Sequence, residues 1–389
     1  MTERWAARLS GIVSVTSVQS KTLYLRAAVG RLQGQSVDVA AGETEAVRAG
    51  RLDGAFAIAQ RLAGGVESVL RGKREELKIV LAAVVCQGHV LFEDVPGTGK
   101  TVLARTIARC VEGAVFSRVQ CTPDLQPSDV IGLAVYNQKT RDFEFRRGPL
   151  FANVVLVDEI NRAMPKTQSA LLEAMAERQI TVDGTTHVLP KPFLVLATEN
   201  PIEFEGVFPL PEAQLDRFFL RARLGYPAAD DEVLVVRDHR GAPPLERLGP
   251  VLSAVDLDRL QAAIDDVYLD GLIERWIVDL VSATRRLDEV LIGASVRGSI
   301  ALDRAVRAWA LLHGRGYVIP EDVLALFAPV LGHRMVLSPG FLAEARGASR
   351  DELLAILARQ CLVIAPPPEL PTAGERVQAV ENRELSRPS

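Results

Sequence analysis

The chain has 389 residues, 48% of them hydrophobic, a net charge of −4 and a pI near 5.9. That size and apolar content allow a large core and roughly two or three domains, and exclude a fibrous or wholly disordered chain. There is no global basic field, so nucleic acid and anionic lipid are not the default partners.

The four cysteines, Cys86, Cys110, Cys121 and Cys361, form no CxxC pair and read as reduced cytosolic thiols. The longest apolar run, residues 79–86, is far short of the ~20 residues that span a bilayer, so no transmembrane helix is expected. Arg4 and Arg8 precede a mildly apolar stretch that loosely resembles a signal peptide, but Ser, Thr and Gly dilute it and no A-x-A site follows. The expected compartment is therefore the cytoplasm.

Residues 1–55 mix short β-branched runs with glycines and show no helical period; they are set apart as an extension without an assignable role. From Phe56 onward Ala57, Ile58, Leu62, Val66, Val69 and Leu70 recur at helical spacing, which predicts an amphipathic helix. A second helix is expected over residues 73–86, closed by Gly88.

Residues 89–108, HVLFEDVPGTGKTVLARTIA, are an apolar strand, a glycine-containing loop and a helical pattern in immediate succession. This is the grammar of a phosphate-binding loop, in which backbone N–H groups and a helix N-terminus face an anion. The nucleotide contacts are expected from Asp94, Val95, Pro96, Gly97, Thr98, Gly99, Lys100, Thr101 and Val102, with Lys100 as the cation and the Thr101 hydroxyl as a Mg²⁺ ligand. One position departs from GxxxxGK[ST]: Asp94 stands where the pattern has glycine. The departure is tolerable if residue 94 needs no positive φ.

Next come a strand over residues 114–120, a turn-rich segment PDLQPSDVIG and a hairpin over residues 136–145. The run VVLVD, residues 154–158, is a buried strand ending on Asp158 and Glu159. Acids at the carboxyl end of such a strand lie where open parallel sheets collect ligands. Asp158 is expected to hold the Mg²⁺ shell and Glu159 to activate water. A helix over residues 165–179, a hairpin turning at Asp183-Gly184, a strand over residues 193–197 ending near Asn200, a short helix with Arg217 at its end and a last strand over residues 218–224 complete this part.

The Gly/Pro-rich residues 241–250 mark the best domain boundary. Beyond it everything reads as helical: residues 256–269, 272–286, 298–313, 321–331 and 351–361, the last with a capping box of Ser349 and Glu352. The second of these places Leu272, Ile273, Trp276, Ile277 and Leu280 on its apolar face. Residues 366–389 are Pro-rich and charged and are expected to be disordered.

From about residue 62 to 364 the chain resembles the MoxR branch of the AAA+ ATPases. The stretches that carry the resemblance are GHVLFEDVPGTGKT, GPLFANVVLVDEINRAMPKTQSALLEAMAERQITVDG, ATENPIEFEGVFPLPEAQLDRF, GASVRGSIAL and RAWALLHGRGYVIPEDV. The resemblance implies an α/β fold: an αβα sandwich around a five-stranded parallel sheet over residues 56–240, then an all-α lid over residues 241–365. It implies ATP and Mg²⁺ as cofactors and assigns Asn200 as the sensor that positions water, Arg297 as the lid arginine on the γ-phosphate, and Arg217 as an arginine finger for a neighbouring subunit. It also implies a homo-oligomeric ring, a hexamer by analogy, and a chaperone action on a protein client, with a von Willebrand factor A domain protein as the partner type. Two positions depart from the family: Val296 replaces the proline of GASPR and Glu199 the glutamine of ATQNP, which leaves the basal rate open.

Other readings use the same residues. A nucleic-acid motor of the related chelatase and helicase branches would need basic or aromatic hairpin tips; the tip at Asp183 to Thr186 is acidic to neutral, whereas the first hairpin carries Lys139, Arg141, Arg146 and Arg147. A small-molecule kinase would need an acceptor pocket and no arginines at 217 and 297. A scaffold that binds nucleotide without hydrolysis would not need Glu159.

Overall fold

The computed structural model of the protein describes residues 45–200, 206–238 and 240–369. The expectations for the first 44 residues and for the tail beyond residue 369 lie outside the described residues. Two helices lead in, α1 (Glu45–Glu67) and α2 (Arg74–Val85). Helix α1 starts upstream of Phe56, because residues 47–54 bury no side chain and so show no apolar stripe to read. At the end of α2 the left-handed residue is Gln87 (φ 54°), not Gly88, and the Gly88 N–H reaches back to the Ala83 carbonyl at 2.8 Å. Glycine is needed at 88 for a different reason: a Cβ there would overlap the Phe219 side chain.

Strand β1 (Val90–Glu93) then runs into α3 (Lys100–Cys110), β2 (Phe116–Gln120), a short α4 (Pro127–Ile131) and a hairpin of β3 (Gly132–Asn137) with β4 (Asp142–Arg147). Strand β5 (Val154–Asp158) is followed by a 3-10 turn (Ile160–Arg162), α5 (Pro165–Glu177) and the hairpin β6 (Gln179–Val182) with β7 (Thr185–Val188). Its turn places Asp183 and Gly184 at φ 49° and 78°, the signs a tight two-residue hairpin requires. Strand β8 (Leu194–Glu199), α6 (Glu212–Leu215) and β9 (Leu220–Ala222) follow.

The five strands β2-β5-β8-β1-β9 form one parallel sheet in that order. Every residue of β5 is buried, and all of β8 except Glu199 is buried or nearly so. Such continuous apolar runs are what a sheet covered on both faces demands. The register aligns Glu93 with Glu199 and Gln120 with Asp158. Polar residues of four strands therefore end at one edge, where each strand leaves the apolar interior.

Helix α7 (Ala229–Asp238) buries none of its side chains, and nothing in its pattern announces it. A short α8 (Pro244–Arg247) lies inside the Gly/Pro-rich break. The helices α9 (Ala254–Ala262), α10 (Gly271–Ala283), α11 (Val296–Leu312), α12 (Pro320–Leu331), α13 (Pro339–Glu344) and α14 (Arg350–Ile364) make the C-terminal part. It is not wholly helical: β10 (Val290–Ile292) and β11 (Val336–Leu337) pair antiparallel. These strands are too short to leave a period in the sequence. Helix α10 buries Ile273, Trp276, Ile277 and Leu280 as expected, while Leu272 is exposed because it lies in the first turn beside the Asp270 cap. The Ser349–Glu352 capping box is formed, with Glu352 accepting the Ser349 N–H at 2.7 Å. Residues Gly50–Pro367 form one compact unit.

Candidate active site

The loop between β1 and α3 bends through Gly97 (φ 84°) and Gly99 (φ 89°), both in the region where a side chain is strained. Gly99 is also the N-cap of α3 and provides no side-chain cap. The first N–H groups of that helix therefore lack a side-chain acceptor from their own cap and face the loop. Lys100 Nζ donates to the carbonyls of Val95 at 2.7 Å and Asp94 at 3.1 Å. Burial pushes the Lys100 ammonium below the usual lysine range, against the opposing pull of Asp94, Asp158 and Glu159.

Asp94 does not adopt a positive φ, which explains why a non-glycine fits. Its carboxylate is buried and used structurally. Oδ2 accepts the N–H groups of Leu224 and Gly225, both at 2.9 Å, and Oδ1 accepts that of Val95 at 2.9 Å. The side chain thus fastens the end of β1 to the segment leaving β9. Val95 and Thr98 are half-buried in the loop, Pro96 and Gly97 are exposed, and Val102 is on the exposed face of α3.

Asp158 ends β5 with its side chain buried. Its Oδ2 accepts Arg118 Nε at 2.6 Å and its Oδ1 the Thr198 hydroxyl at 3.4 Å. Glu159, the next residue, is left-handed at φ 56°. A non-glycine residue there is strained unless its surroundings hold it, and here Thr198 Oγ1 accepts the Glu159 N–H at 2.8 Å. Glu159 Oε2 accepts Gln120 Nε2 and Arg162 Nη1, each at 3.1 Å. Asn200 follows directly on β8 at the same edge. Its neighbour Glu199 is raised in pKa by burial and by Glu93, with Arg350 and Arg221 opposing.

Of the two predicted arginines, Arg217 directly follows Asp216 in the chain and Arg297 approaches that aspartate from α11. Arg217 is exposed, and among the described residues its side chain has no hydrogen-bond or ion-pair partner. Arg297 Nη1 is 3.7 Å from Asp216 Oδ2 and is largely solvent-exposed. The start of α11 is set by Ser295, whose Oγ accepts the Arg297 N–H at 3.2 Å and approaches Asp216 at 3.4 Å. With that cap present, Val296 stands at the first helical position that the family gives to proline. No contact of Arg217 or Arg297 with Lys100, Asp158 or Glu159 occurs among the described residues.

Sequence reasoning missed the residues that hold these groups. Arg118 and Gln120 alternate with buried Val119 on β2, a signal that two polar side chains point to one face, but nothing in the spacing says which strand they meet. Thr198 is a buried polar residue in an apolar strand, the type of position that repays attention. Arg334 was equally silent. Its side chain is nearly buried and donates to Asp216 at 2.8 Å and to the carbonyls of Phe218 and Phe219 at 2.8 and 3.1 Å.

Known proteins agree with this geometry. Residues 89–220 match the ATPase family associated with various cellular activities (AAA), and residues 282–356 match the AAA lid domain. The chain is 51% identical to uncharacterized protein YeaC of Bacillus subtilis, over 70% of this chain and 85% of that one. It is 43% identical to chaperone MoxR1 of Mycobacterium tuberculosis, over 72% of this chain and 76% of the relative. A crystal structure of a protein from Cytophaga hutchinsonii, proposed there to be an ATPase, superposes with a TM-score of 0.73 at 37% identity, covering 80% of this chain and 96% of that one. The fold is thus shared along with the sequence, a parallel sheet followed by a helical lid, and the chain belongs to the MoxR family of AAA+ ATPases.

Proposed function

We propose that the protein binds ATP with Mg²⁺ in the loop of residues 94–102 and hydrolyses it, using the energy to remodel or mature a client protein. The observation that carries the reading is that the glycine loop bearing Lys100 leaves β1 at the same edge of the parallel sheet where β5 ends on Asp158 and Glu159, with Asn200 following β8, the strand between them. The Thr101 hydroxyl and the Asp158 carboxylate are hard oxygen donors of the kind Mg²⁺ prefers, so the residues present fit the ion. Mg²⁺, once bound with the phosphates, would neutralise charge developing on them. Lys100 would exchange its loop carbonyls for phosphate oxygens, and Glu159 would orient and deprotonate the attacking water with Asn200 beside it. The division into a core over residues 56–240 and a lid over residues 241–365 belongs to the same proposal.

Arg217, exposed next to the Asp216–Arg334 pair, would serve a neighbouring subunit's site, and a finger acting in that way can contribute roughly 10³ to 10⁵ in rate. A homo-oligomeric ring, hexameric by family analogy, in the cytoplasm is the assembly that would use it. A protein with a von Willebrand factor A domain is the partner type this family suggests. Among the described residues no helix is long and apolar enough to cross a membrane.

The test is ATP hydrolysis measured against protein concentration, with mass determined in the same samples with and without ATP and Mg²⁺. Specific activity that climbs as a ring assembles supports a shared site; full activity in a monomer rejects the finger in trans and reopens a kinase or switch.

A second reading, a nucleic-acid motor, rests on the β3–β4 hairpin. It exposes the edge-to-face pair Tyr136 and Phe143, centroids 5.4 Å apart, near Lys139 and Arg141. Aromatic and basic groups together suit single strands, but Asp142 and Glu144 stand among them. A salt-dependent mobility shift on DNA would favour this reading.

A further inference from the structure

Both oxygens of Asp158 are engaged, and unequally. Thr198 offers a neutral hydroxyl at 3.4 Å, whereas Arg118 offers a charged donor at 2.6 Å. The second is the strong contact, because a guanidinium facing a carboxylate is charge-assisted. Arg118 also donates from Nη2 to Gln120 Oε1 at 2.9 Å, and Gln120 passes its own Nε2–H to Glu159 at 3.1 Å. One cation thereby links the metal-side acid to the water-side acid through a single amide.

The two ends of the Arg118–Asp158 pair differ in freedom. The arginine side chain is 48% exposed and the aspartate 12%. Arg118 can withdraw into water with little desolvation cost, while Asp158 is held by its strand and by Thr198. A guanidinium and a hydrated Mg²⁺ are alternative counter-charges for one nearly buried carboxylate. Holding both against the same oxygen adds like-charge repulsion across a few ångströms.

We propose that Arg118 is a positioning residue that competes with Mg²⁺ for Asp158, so that arrival of the metal releases Arg118. Asp158 then keeps a counter-charge whether or not the metal is present, and the metal must displace Arg118 to bind. The proposal rests on the ATPase reading above.

The experiment uses the full chain and a fluorescent methylanthraniloyl-ATP probe, first in EDTA and then across a Mg²⁺ titration. Arg118→Ala lowers the half-saturating Mg²⁺ concentration roughly three- to tenfold and leaves probe binding in EDTA unchanged, whereas Arg118→Lys, which keeps the charge, stays within about twofold of wild type. Thermal melting checks that both variants fold, and Arg118→Gln supplies a neutral side chain of similar length if the alanine variant does not. An unchanged or raised Mg²⁺ requirement in a folded neutral variant overturns the proposal. So does weaker binding in EDTA, which would make Arg118 a nucleotide contact. Wild-type protein that binds no probe in either condition overturns the ATPase reading and this proposal with it; a missing shift alone leaves that reading standing.

Discussion

Arg334 and Asp216 form an ion pair of 2.8 Å that joins the 3-10 turn Gly332–Arg334 to the segment bearing Arg217. The arginine side chain is 4% exposed and the aspartate 18%. Burial lowers the Arg334 pKa, and Asp216 opposes that shift. Arg297 approaches the same aspartate from the lid helix at 3.7 Å, so a single carboxylate meets Arg334 and Arg297 and directly precedes Arg217 in the chain.

Removing either arginine should separate structure from function. Arg334→Ala leaves Asp216 and two carbonyls without their main donor and should cost about 3 kcal/mol in urea unfolding. Arg297→Ala removes a long, solvent-exposed pair and should change stability by less than about 0.5 kcal/mol while lowering ATP turnover. Equal losses of stability in the two variants would contradict this division.

Restoring the glycine of the usual loop pattern should harm the protein. Asp94→Gly deprives Leu224 and Gly225 of the acceptor they share at 2.9 Å, and unsatisfied buried donors cost about 1 to 3 kcal/mol each. A melting temperature equal to that of the wild type would show that water replaces the carboxylate without penalty.

Lys100→Ala should abolish nucleotide binding, and Glu159→Gln should retain binding yet lose turnover. Equilibrium binding and phosphate release, measured on the same preparations, distinguish the two. Arg217→Ala should be inactive alone but regain activity when mixed with Lys100→Ala, since each supplies what the other lacks. Mixtures that stay inactive count against a finger in trans.

His89 makes stability depend on pH. Its Nδ1 accepts the Val195 N–H at 3.0 Å and its Nε2 lies 3.1 Å from the Met175 carbonyl, which fixes a neutral ring with the proton on Nε2. Burial, aided by Arg178 and resisted by the Met175 contact, pushes its pKa from 6.5 down to about 4. Between those values the unfolded chain binds the extra proton, so this contribution is complete above the unfolded value. It is lost as pH falls toward the folded one, an effect of order 3 kcal/mol. His333, also buried and lowered, acts in the same direction. Urea unfolding at about pH 5 and about pH 7.5 checks this, and equal stabilities would exclude it.

The phosphate loop, the VVLVD strand with its two acids, both hairpins and most lid helices were legible because each rests on neighbours in sequence. Glycine φ, strand burial and helix period are local properties, and so were Lys100, Thr101, Asp158 and Glu159 as candidates. What tertiary structure alone decided is how those groups are held. Asp94 proved to be a clip onto Leu224 and Gly225, Thr198 and Gln120 reach the acids from other strands, and Arg334 gathers Asp216 and the segment before β9. These partners lie far apart in the chain, and strand order and register bring them within hydrogen-bond reach. The ribbon β10–β11 was hidden for the same reason, since strands of two or three residues acquire their identity only from the partner they pair with.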